Sequence, residues 1–369
     1  MGENRLMPYN WQQKDWPHFR YDLAEVEAWL LAFADHAGQI EGLLRGLPEE
    51  SRWETVVDVM LAEAVKTSEI EGEYVSRPDV RSSLRNRLGL NPKPENVRDQ
   101  AAAGVGELMV AVRETWDVKL DEKTLFAWHR MLMKGQKNVL VGAWRRHEEP
   151  MQVISGSFGR QKVHFEGPPS GLVPKEMREF VRWFNESRKT IPHAPVRAAL
   201  AHLYFESIHP FEDGNGRIGR ALSEKALSQG LRRPAVLSLS RTIEAGKKAY
   251  YVALETAQRS NEVTPWIHYF IRLALDSQIA VEKQIDFVLR QTRLWDDHRG
   301  QLNARQERVL QRMFEAGPEG FEGGINARKY VSLTKASKAT ATRDLQELVE
   351  LGVLTPLGGG RSTRYELKV

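Results

Sequence analysis

The chain has 369 residues, of which 41% are hydrophobic and 28% charged, and its formal net charge is +4. This composition excludes a disordered or fibrous chain, and the length predicts two or three domains. The lack of cysteine excludes disulfides and thiolate metal sites, and neither a signal-peptide segment nor a run of about 18 apolar residues occurs, so we expect a cytoplasmic protein without a membrane partner.

The N-terminal third is predicted to be an aromatic arm followed by two helices. The first 25 residues include Trp11 and Trp16, which predicts a segment packed on the main core rather than a free tail. Helical periodicity follows over residues 23–47. A second helix is predicted to begin at Ser51, where Ser51 and Glu54 match a capping box, and to end near Gly72, because glycine is favoured just after a helix.

The middle of the chain is predicted to be helical around one β-hairpin. The predicted helices span residues 97–116, 120–134, 175–186, 196–208, 217–228, 241–259 and 264–295. In residues 151–165, β-forming side chains flank a Gly-Ser-Phe-Gly turn at positions 156–159, which predicts a hairpin.

The C-terminus is predicted to be a separate unit. Helices over 303–315, 326–331 and 337–351, followed by two strands around a glycine-rich tip, resemble a winged helix-turn-helix domain. Residues 325–369 carry eight basic and four acidic side chains, and the rest of the chain has 45 of each. The whole excess of positive charge therefore lies in this unit, which favours an anionic partner.

The stretch His209–Arg220 reads HPFEDGNGRIGR and lies at a predicted helix break. Pro210 pushes the residue before it out of helical geometry, so the preceding helix is expected to end at or near His209. Gly214 and Gly216 permit conformations that gather backbone N–H groups into a concavity, and a helix beginning at about Arg217 adds the positive end of its dipole. The pattern predicts a nest for an anion such as a polyphosphate.

Side chains of the same stretch add chemistry to the nest. Arg217 and Arg220 share a helical face and are expected to reach the anion. A carboxylate beside a phosphate nest implies an intervening hard cation, so Asp213 predicts Mg²⁺. His209 titrates near neutrality and is the available base for an attacking hydroxyl. Together these groups predict phosphoryl or nucleotidyl transfer.

Each feature alone has a plainer interpretation. A histidine at a helix end is more often a cap or a packed side chain, and Gly-Asn-Gly is more often a turn. Gly214, Gly216 and Gly219 also match the spacing of a dinucleotide-binding fingerprint, but that motif follows a strand, and here a helix precedes it.

HPFEDGNGRIGR resembles the signature of the Fic-domain family at every defining position. The resemblance implies a helical enzyme that transfers AMP from ATP, with Mg²⁺, to a Ser, Thr or Tyr hydroxyl of a target protein or of the chain itself. It implies roles for these residues: His209 as general base, Phe211 as the loop's anchor in the core, Asp213 as metal ligand, Gly214, Asn215 and Gly216 as the phosphate cradle, and Arg217 and Arg220 on the outer phosphates.

Other segments also resemble the family. The 151–165 hairpin lies where Fic proteins carry a flap that aligns the target protein by strand pairing. YYVALETAQ resembles the helix beside the adenine, which implies that Tyr251 and Leu254 lie near the base; Gln258 stands where some relatives have Asn. TSEIEG resembles an inhibitory motif with Thr67, Glu71 and Gly72 at the matched positions. In such proteins the glutamate pairs with the second signature arginine, here Arg220, which implies low basal activity.

The predicted fold class is an all-α Fic core with one β-hairpin flap, plus a C-terminal winged helix-turn-helix domain. The predicted domains are an N-terminal helical region with the inhibitory helix (1–95), a Fic catalytic core (96–290) and the winged-helix unit (300–369). The subgroup implied combines these three parts. The sequence leaves the oligomeric state open, a homodimer included.

A DNA-binding regulator with a nucleotide-sensing core is the competing hypothesis. Lys338 and Arg343 on the predicted recognition helix, with Arg361 and Arg364 at the wing, favour it. Acidic side chains on the same helix argue against it and suit a protein partner equally well; these are Asp344, Glu347 and Glu350. Use of another donor, or removal of AMP, would keep the fold and change the reaction.

Overall fold

The computed structural model describes residues 8–155, 162–318, 320–360 and 363–368. Within these ranges the chain is mostly helical, with two small antiparallel sheets. The helices are α1 (Glu27–Gly46), α2 (Glu49–Ile70), α3 (Arg77–Arg87), α4 (Gln100–Glu114), α5 (Glu122–Leu132), α6 (Val173–Thr190), α7 (Ala194–Ile208), α8 (Asn215–Leu231), α9 (Leu239–Ala245), α10 (Lys247–Ala257), α11 (Thr264–Asp297), α12 (Ala304–Phe314), α13 (Ala327–Thr334) and α14 (Lys338–Glu350). The strands are β1 (Gln152–Ser155), β2 (Lys162–Glu166), β3 (Leu354–Leu357) and β4 (Arg364–Leu367).

Two compact units make up the chain. One comprises Met1–Gly38 and Val56–Ile279, and the other comprises Gln39–Thr55 and Ala280–Val369. The domain limits predicted from the sequence stay a prediction. In the described part of the chain, no helix has both the length and the apolar character needed to cross a membrane.

The first unit is built around α7. All of its residues are buried, and it packs against α6 and α8. A helix that is buried on every side has no solvent-facing stripe, which explains why α7 is not amphipathic. Trp266 of α11 donates its indole N–H to the Ala199 carbonyl oxygen over 2.8 Å, so the polar edge of this large side chain is satisfied in the core.

The aromatic arm packs on this unit, as predicted. Trp11 donates its indole N–H to the Glu166 carbonyl oxygen (2.7 Å), and Trp16 donates to Glu176 (2.9 Å). The backbone of Asn10 donates to the Gln258 carbonyl oxygen (2.8 Å). The arm is therefore tied both to the end of β2 and to the residue that follows α10.

Three local predictions were wrong. Helix α2 begins at Glu49 rather than Ser51, because Pro48 offers its carbonyl oxygen to the Arg52 N–H (2.9 Å) and the helix continues from there. The single helix predicted over 241–259 is divided into α9 and α10 at Gly246. Helix α3 was not predicted, although Ser76 caps it by accepting from the Asp79 N–H and a proline lies in its first turn.

The predicted hairpin is formed by β1 and β2. Gln152 pairs with Glu166 and Ser155 with Lys162, and the register shifts between Val153 and Ile154. The residue left without a partner by this shift is His164 of β2. The Gly-Ser-Phe-Gly turn predicted at positions 156–159 lies outside the described residues.

The second unit contains the predicted C-terminal order of three helices and two strands. Its core includes Leu310, Tyr330, Leu345 and Leu348, all nearly inaccessible to solvent. Strands β3 and β4 pair antiparallel from Leu354 with Leu367 to Leu357 with Arg364. The predicted wing residue at position 361 lies outside the described part.

The prediction that Asp344 lies on an acidic outer face of α14 was wrong. Its side chain is 1% exposed and accepts two hydrogen bonds from Arg305, at 2.8 and 3.1 Å, and one from the Tyr330 hydroxyl at 2.9 Å. Burial opposes ionisation of Asp344, but these donors outweigh it and lower its pKa. Asp344 is therefore an internal link of the unit, and the sequence pattern alone did not distinguish it from a surface acid.

Candidate active site

The loop between α7 and α8 turns sharply at its first residue. Helix α7 ends at Ile208, and His209 adopts a left-handed conformation with φ 49° and ψ 61°. Phe211 is fully buried, as the resemblance implied. Asn215 brackets the loop, because its side chain accepts from the Phe211 N–H and donates to the Phe211 carbonyl oxygen, both at 2.9 Å. The Asn215 side chain therefore shapes the loop, and Asn215 is also among the residues that line the adjoining cavity.

Arg145 holds this strained turn in place. Its guanidinium donates to the carbonyl oxygen of His209 (2.8 Å), to that of Ile208 (3.3 Å) and to that of Pro168, while its backbone N–H donates to the Pro210 carbonyl oxygen (2.9 Å). Arg145 is 1% exposed, and burial lowers its pKa to about 10. The sequence analysis missed this residue, because nothing in its local pattern indicates four carbonyl partners.

His129 of α5 supports the other side of the loop. Its ring stacks on Phe211 with centroids 4.1 Å apart. Nδ1 accepts from the Gly142 N–H (2.8 Å), so Nε2 carries the proton and donates to the Asp213 carbonyl oxygen over 3.2 Å. Burial lowers the pKa of His129, which keeps the ring neutral in this role. This residue also escaped the sequence analysis.

The His209 imidazole lies close to an acid one turn earlier on α7. Its Nδ1 lies 3.4 Å from Oε2 of Glu206, and the His209 side chain is 15% exposed. Within the described residues, Nδ1 has no partner in hydrogen-bonding geometry. Burial opposes ionisation of Glu206, but His209, His202 and Arg220 lower its pKa overall. An ionised Glu206 carboxylate therefore lies beside the His209 imidazole.

The predicted anion nest at the N-terminus of α8 lies against the carboxylate of Glu71. Helix α8 begins at Asn215, two residues earlier than predicted, and Gly214 precedes it in a left-handed conformation with φ 80°. A Cβ on Gly216 would meet Oε1 of Glu71 at 2.1 Å. Only glycine at position 216 therefore lets the Glu71 carboxylate lie directly on the first turn of α8.

Glu71 also pairs with Arg220. Arg220 donates to Oε1 of Glu71 over 2.8 Å, and it further donates to the Thr67 hydroxyl (2.7 Å) and carbonyl oxygen (3.0 Å). Arg220 is 2% exposed; burial alone would lower its pKa, but Glu71 outweighs burial and the pKa is raised. The structure thus brings together the predicted inhibitory residues and the second signature arginine.

The turn after α2 fixes the position of the Glu71 carboxylate. Gly72 has φ 81°, and the N–H groups of Glu71 and Glu73 donate to the Ser68 carbonyl oxygen at 3.0 and 2.9 Å. The six-residue bond from Glu73 is typical of a Schellman motif, which requires a left-handed residue at Gly72. Gly72, which was predicted to end the helix, therefore forms the turn that orients Glu71 and Glu73 on either side of it.

The first signature arginine has a carboxylate partner of its own. Arg217 is 2% exposed and pairs with Glu73 and, at 3.2 Å, with Asp213. In the described part of the chain, its Nε is buried without a hydrogen-bond partner. The sequence analysis missed Glu73, which lies 144 positions from Arg217 in the chain. Both signature arginines are thus neutralised from the same turn.

A cavity of about 860 Å³ connects these groups with the hairpin and α10. Residues of α10 at its wall include Tyr251, which is 38% exposed, and Leu254, which is buried. Burial, followed by the charge of Glu71, raises the pKa of Tyr251 to about 12, so its hydroxyl stays protonated. Gln258 also lines the cavity and donates to the Glu206 carbonyl oxygen over 3.2 Å.

Asp213 is the carboxylate available to a cation at the nest. Its side chain is 45% exposed and lines the cavity. No cluster of three or more His, Asp or Glu side chains suited to a metal occurs among the residues described. A single carboxylate fits Mg²⁺, which commonly takes one or two protein carboxylates and completes its octahedron with phosphate and water oxygens.

Parts of the chain are similar to known proteins. Residues 119–227 match the Fic/DOC family, and residues 9–90 match a domain of unknown function, DUF4172. The chain is 27% identical over 225 residues to a protein named protein adenylyltransferase Fic from Drosophila sechellia, and 27% identical over 223 residues to one of the same name from Aedes aegypti. Each match covers 60% of this chain and 40% of the relative, so the chain matches about two fifths of these curated relatives.

Two solved structures share the fold. A Fic domain containing signaling protein from Bacteroides thetaiotaomicron has a TM-score of 0.52 at 17% identity, covering 69% of this chain and 97% of that one. A structure of Fic-1 from C. elegans has a TM-score of 0.51 at 17% identity, covering 70% of this chain and 72% of that one. Residues 119–227 of this mostly helical chain therefore match the Fic/DOC family.

Proposed function

We propose that the chain is a protein adenylyltransferase that transfers AMP from ATP to a hydroxyl side chain of a protein, and that its resting state is autoinhibited. The observation that carries the proposal is the Glu71 carboxylate on the first turn of α8, paired with buried Arg220. An anion already lies where backbone N–H groups and an arginine converge, and a phosphate of ATP has the same requirements.

The proposed reaction uses groups on both sides of the nest. The N–H groups of Gly214 and Gly216 bind the phosphates, and Asp213 would hold Mg²⁺, which neutralises phosphate charge when bound. Tyr251 and Leu254 contact the adenine. The target's hydroxyl oxygen bonds to the α-phosphorus, the bond to the β-phosphate oxygen breaks, and pyrophosphate leaves. His209 takes the hydroxyl proton, and Glu206 stabilises the resulting charge.

The hairpin supports a protein rather than a small-molecule acceptor. β1 and β2 form a sheet of two strands, and Val153 and Ile154 of β1 line the cavity next to the nest. An extended segment of the target would add to this sheet by main-chain hydrogen bonds, with its hydroxyl directed at His209. The proposed flap comprises the described parts of residues 151–165.

Mass spectrometry of the intact protein tests the reaction and its donor together. Incubation of the Glu71→Gly variant with ATP and Mg²⁺ is expected to add the mass of one or more AMP groups, whereas wild type adds little. His209→Ala in the same background is expected to reduce the rate of incorporation by about a hundredfold or more while ATP binding persists. Lack of AMP incorporation in Glu71→Gly would refute the proposed reaction.

A second candidate function is DNA binding by the C-terminal unit, which we propose to be a winged helix-turn-helix domain. Burial of Asp344 removes one acidic charge from the outer face of α14, whereas Lys338 and Arg343 remain exposed. Salt-dependent binding of the full chain to duplex DNA, weakened by Lys338→Glu or Arg343→Glu, is the expected result. Failure to bind duplex DNA at low salt would contradict this function and would favour a protein partner for the C-terminal unit.

A further inference from the structure

Three polar side chains outside the nest form a chain of hydrogen bonds across the hairpin. The Ser155 hydroxyl lies 2.6 Å from Nε2 of His164, and Nδ1 of His164 lies 2.9 Å from Oε2 of Glu255. Lys162 stands 3.7 Å from the other oxygen of the same carboxylate. Ser155 and His164 belong to the two strands of the hairpin, and Glu255 belongs to α10.

The proton positions follow from the partners. An ionised carboxylate accepts only, so Nδ1 of His164 carries the proton that Glu255 accepts. Nε2 is then the acceptor and the Ser155 hydroxyl is the donor. Nucleophile, base and orienting acid stand in the order that activates a serine in unrelated hydrolases. The β-bulge at His164 contributes to this geometry, because a bulge redirects a side chain out of the regular strand alternation.

These residues face the reaction site proposed above. Ser155, His164 and Glu255 all line the cavity that contains His209 and the nest. Glu255 directly follows Leu254, the residue expected at the adenine. We call Ser155, His164 and Glu255 the relay. The His164 and Glu255 side chains are 28% and 33% exposed, so the relay is partly shielded from water while remaining open to the cavity. A nucleotide bound on α8 and α10 would therefore share this cavity with Ser155.

From this constellation we propose that Ser155 is an acceptor of AMP within the chain itself, with His164 as its base. The inference rests on the proposed adenylyl transfer. The Ser155 Oγ bonds to the α-phosphorus of ATP, the bond from that phosphorus to the bridging oxygen of the β-phosphate breaks, and pyrophosphate leaves. The hydroxyl proton moves to Nε2 of His164, whose charge Glu255 stabilises. Modified Ser155 places an AMP group on the flap, where it competes with an incoming target segment.

Peptide mapping by mass spectrometry tests this site in the Glu71→Gly background after incubation with ATP and Mg²⁺. The peptide containing Ser155 is expected to gain one AMP. Ser155→Ala is expected to remove that modification and spare those elsewhere, and Ser155→Thr, which keeps a hydroxyl on a strand, is expected to restore it. A half-buried serine away from the cavity, Ser82, provides the matched control: Ser82→Ala is expected to leave the Ser155 peptide modified.

Substitutions in the relay distinguish its proposed base, His164, from His209, the proposed base for other acceptor hydroxyls. His164→Gln is expected to slow modification of Ser155 about a hundredfold without slowing that of other hydroxyls. Glu255→Gln, which affects a positioning residue, is expected to lower kcat for Ser155 while leaving KM for ATP unchanged. His209→Ala is expected to slow transfer to other hydroxyls about a hundredfold or more and to leave the modification of Ser155 in place.

The outcomes distinguish the two proposals. AMP on other residues of Glu71→Gly, with an unmodified Ser155 peptide, would overturn the Ser155 site and leave the proposed function intact. Modification of Ser155 that is lost in His209→Ala and retained in His164→Gln would overturn the relay. Neither AMP incorporation nor pyrophosphate release in Glu71→Gly would overturn both.

Discussion

Replacing Glu71 with Gly is expected to activate the chain by an amount set by one charge-assisted hydrogen bond. The bond to Arg220 is 2.8 Å long, and the Glu71 side chain is 29% exposed. A hydrogen bond to a charged group contributes about 1.5–3 kcal/mol, which corresponds to about a 10- to 150-fold gain in the population that admits ATP phosphate. Thr67 continues to bind Arg220 through two oxygens, so the guanidinium is not left without partners.

The initial rate of AMP incorporation from labelled ATP measures this gain. Glu69 provides a matched control, because it lies two residues earlier and pairs with Lys66 instead of Arg220. Glu69→Gln is expected to leave the rate within about twofold of wild type, because neither Glu69 nor its half-buried partner Lys66 lines the cavity. An unchanged or lower rate in Glu71→Gly, with unaltered thermal stability, would refute autoinhibition by this carboxylate.

Three further predictions concern other residues of the first unit. Glu73→Gln is expected to raise the same rate less than Glu71→Gly does, because only Arg217 is released; a rate below that of wild type would contradict this. Arg145→Lys is expected to reduce the free energy of unfolding by about 2–4 kcal/mol, measured by urea denaturation, because one ammonium cannot satisfy the carbonyls that the guanidinium holds. Burial, then Glu63, raises the pKa of Glu224 from 4.5 to about 8, so its proton stabilises the fold below pH 4.5 and this contribution is lost as the pH rises through about 8. Glu224→Gln should flatten the fall in stability over that interval, and an unchanged slope would argue against a buried proton.

Local rules explain which parts of the site were predictable. Pro210 after a helical run, glycines at a helix start and Gly72 at a helix end restrict the backbone wherever they occur, so the loop and the turn followed from the sequence. The residues that stabilise the loop could not be predicted from the sequence. Arg145 and His129 act through loop carbonyls far along the chain, and no periodicity indicates such partners.

The hydrogen-bonded chain of Ser155, His164 and Glu255 illustrates the same limit. His164 reaches Glu255 across 91 positions, through a bulge whose existence depends on the pairing of two strands. Asp344 shows the reverse error, because an acid among other acids on a helix was assigned to the surface although Arg305 and Tyr330 bind it inside. In both cases the position of the side chain depends on partners that are distant in the sequence, and these partners cannot be predicted from composition or local pattern.

The turn at Gly72 makes Glu71 and Glu73 a chelating pair. Because one rigid turn carries both carboxylates, each keeps the other at a high effective concentration beside its own arginine, as the two arms of a bidentate ligand do. Loss of one arm leaves the second in place to recapture the site. The release produced by substituting both acids should therefore exceed the sum of the single effects, and a nucleotide must displace both arms before α8 is fully open to its phosphates.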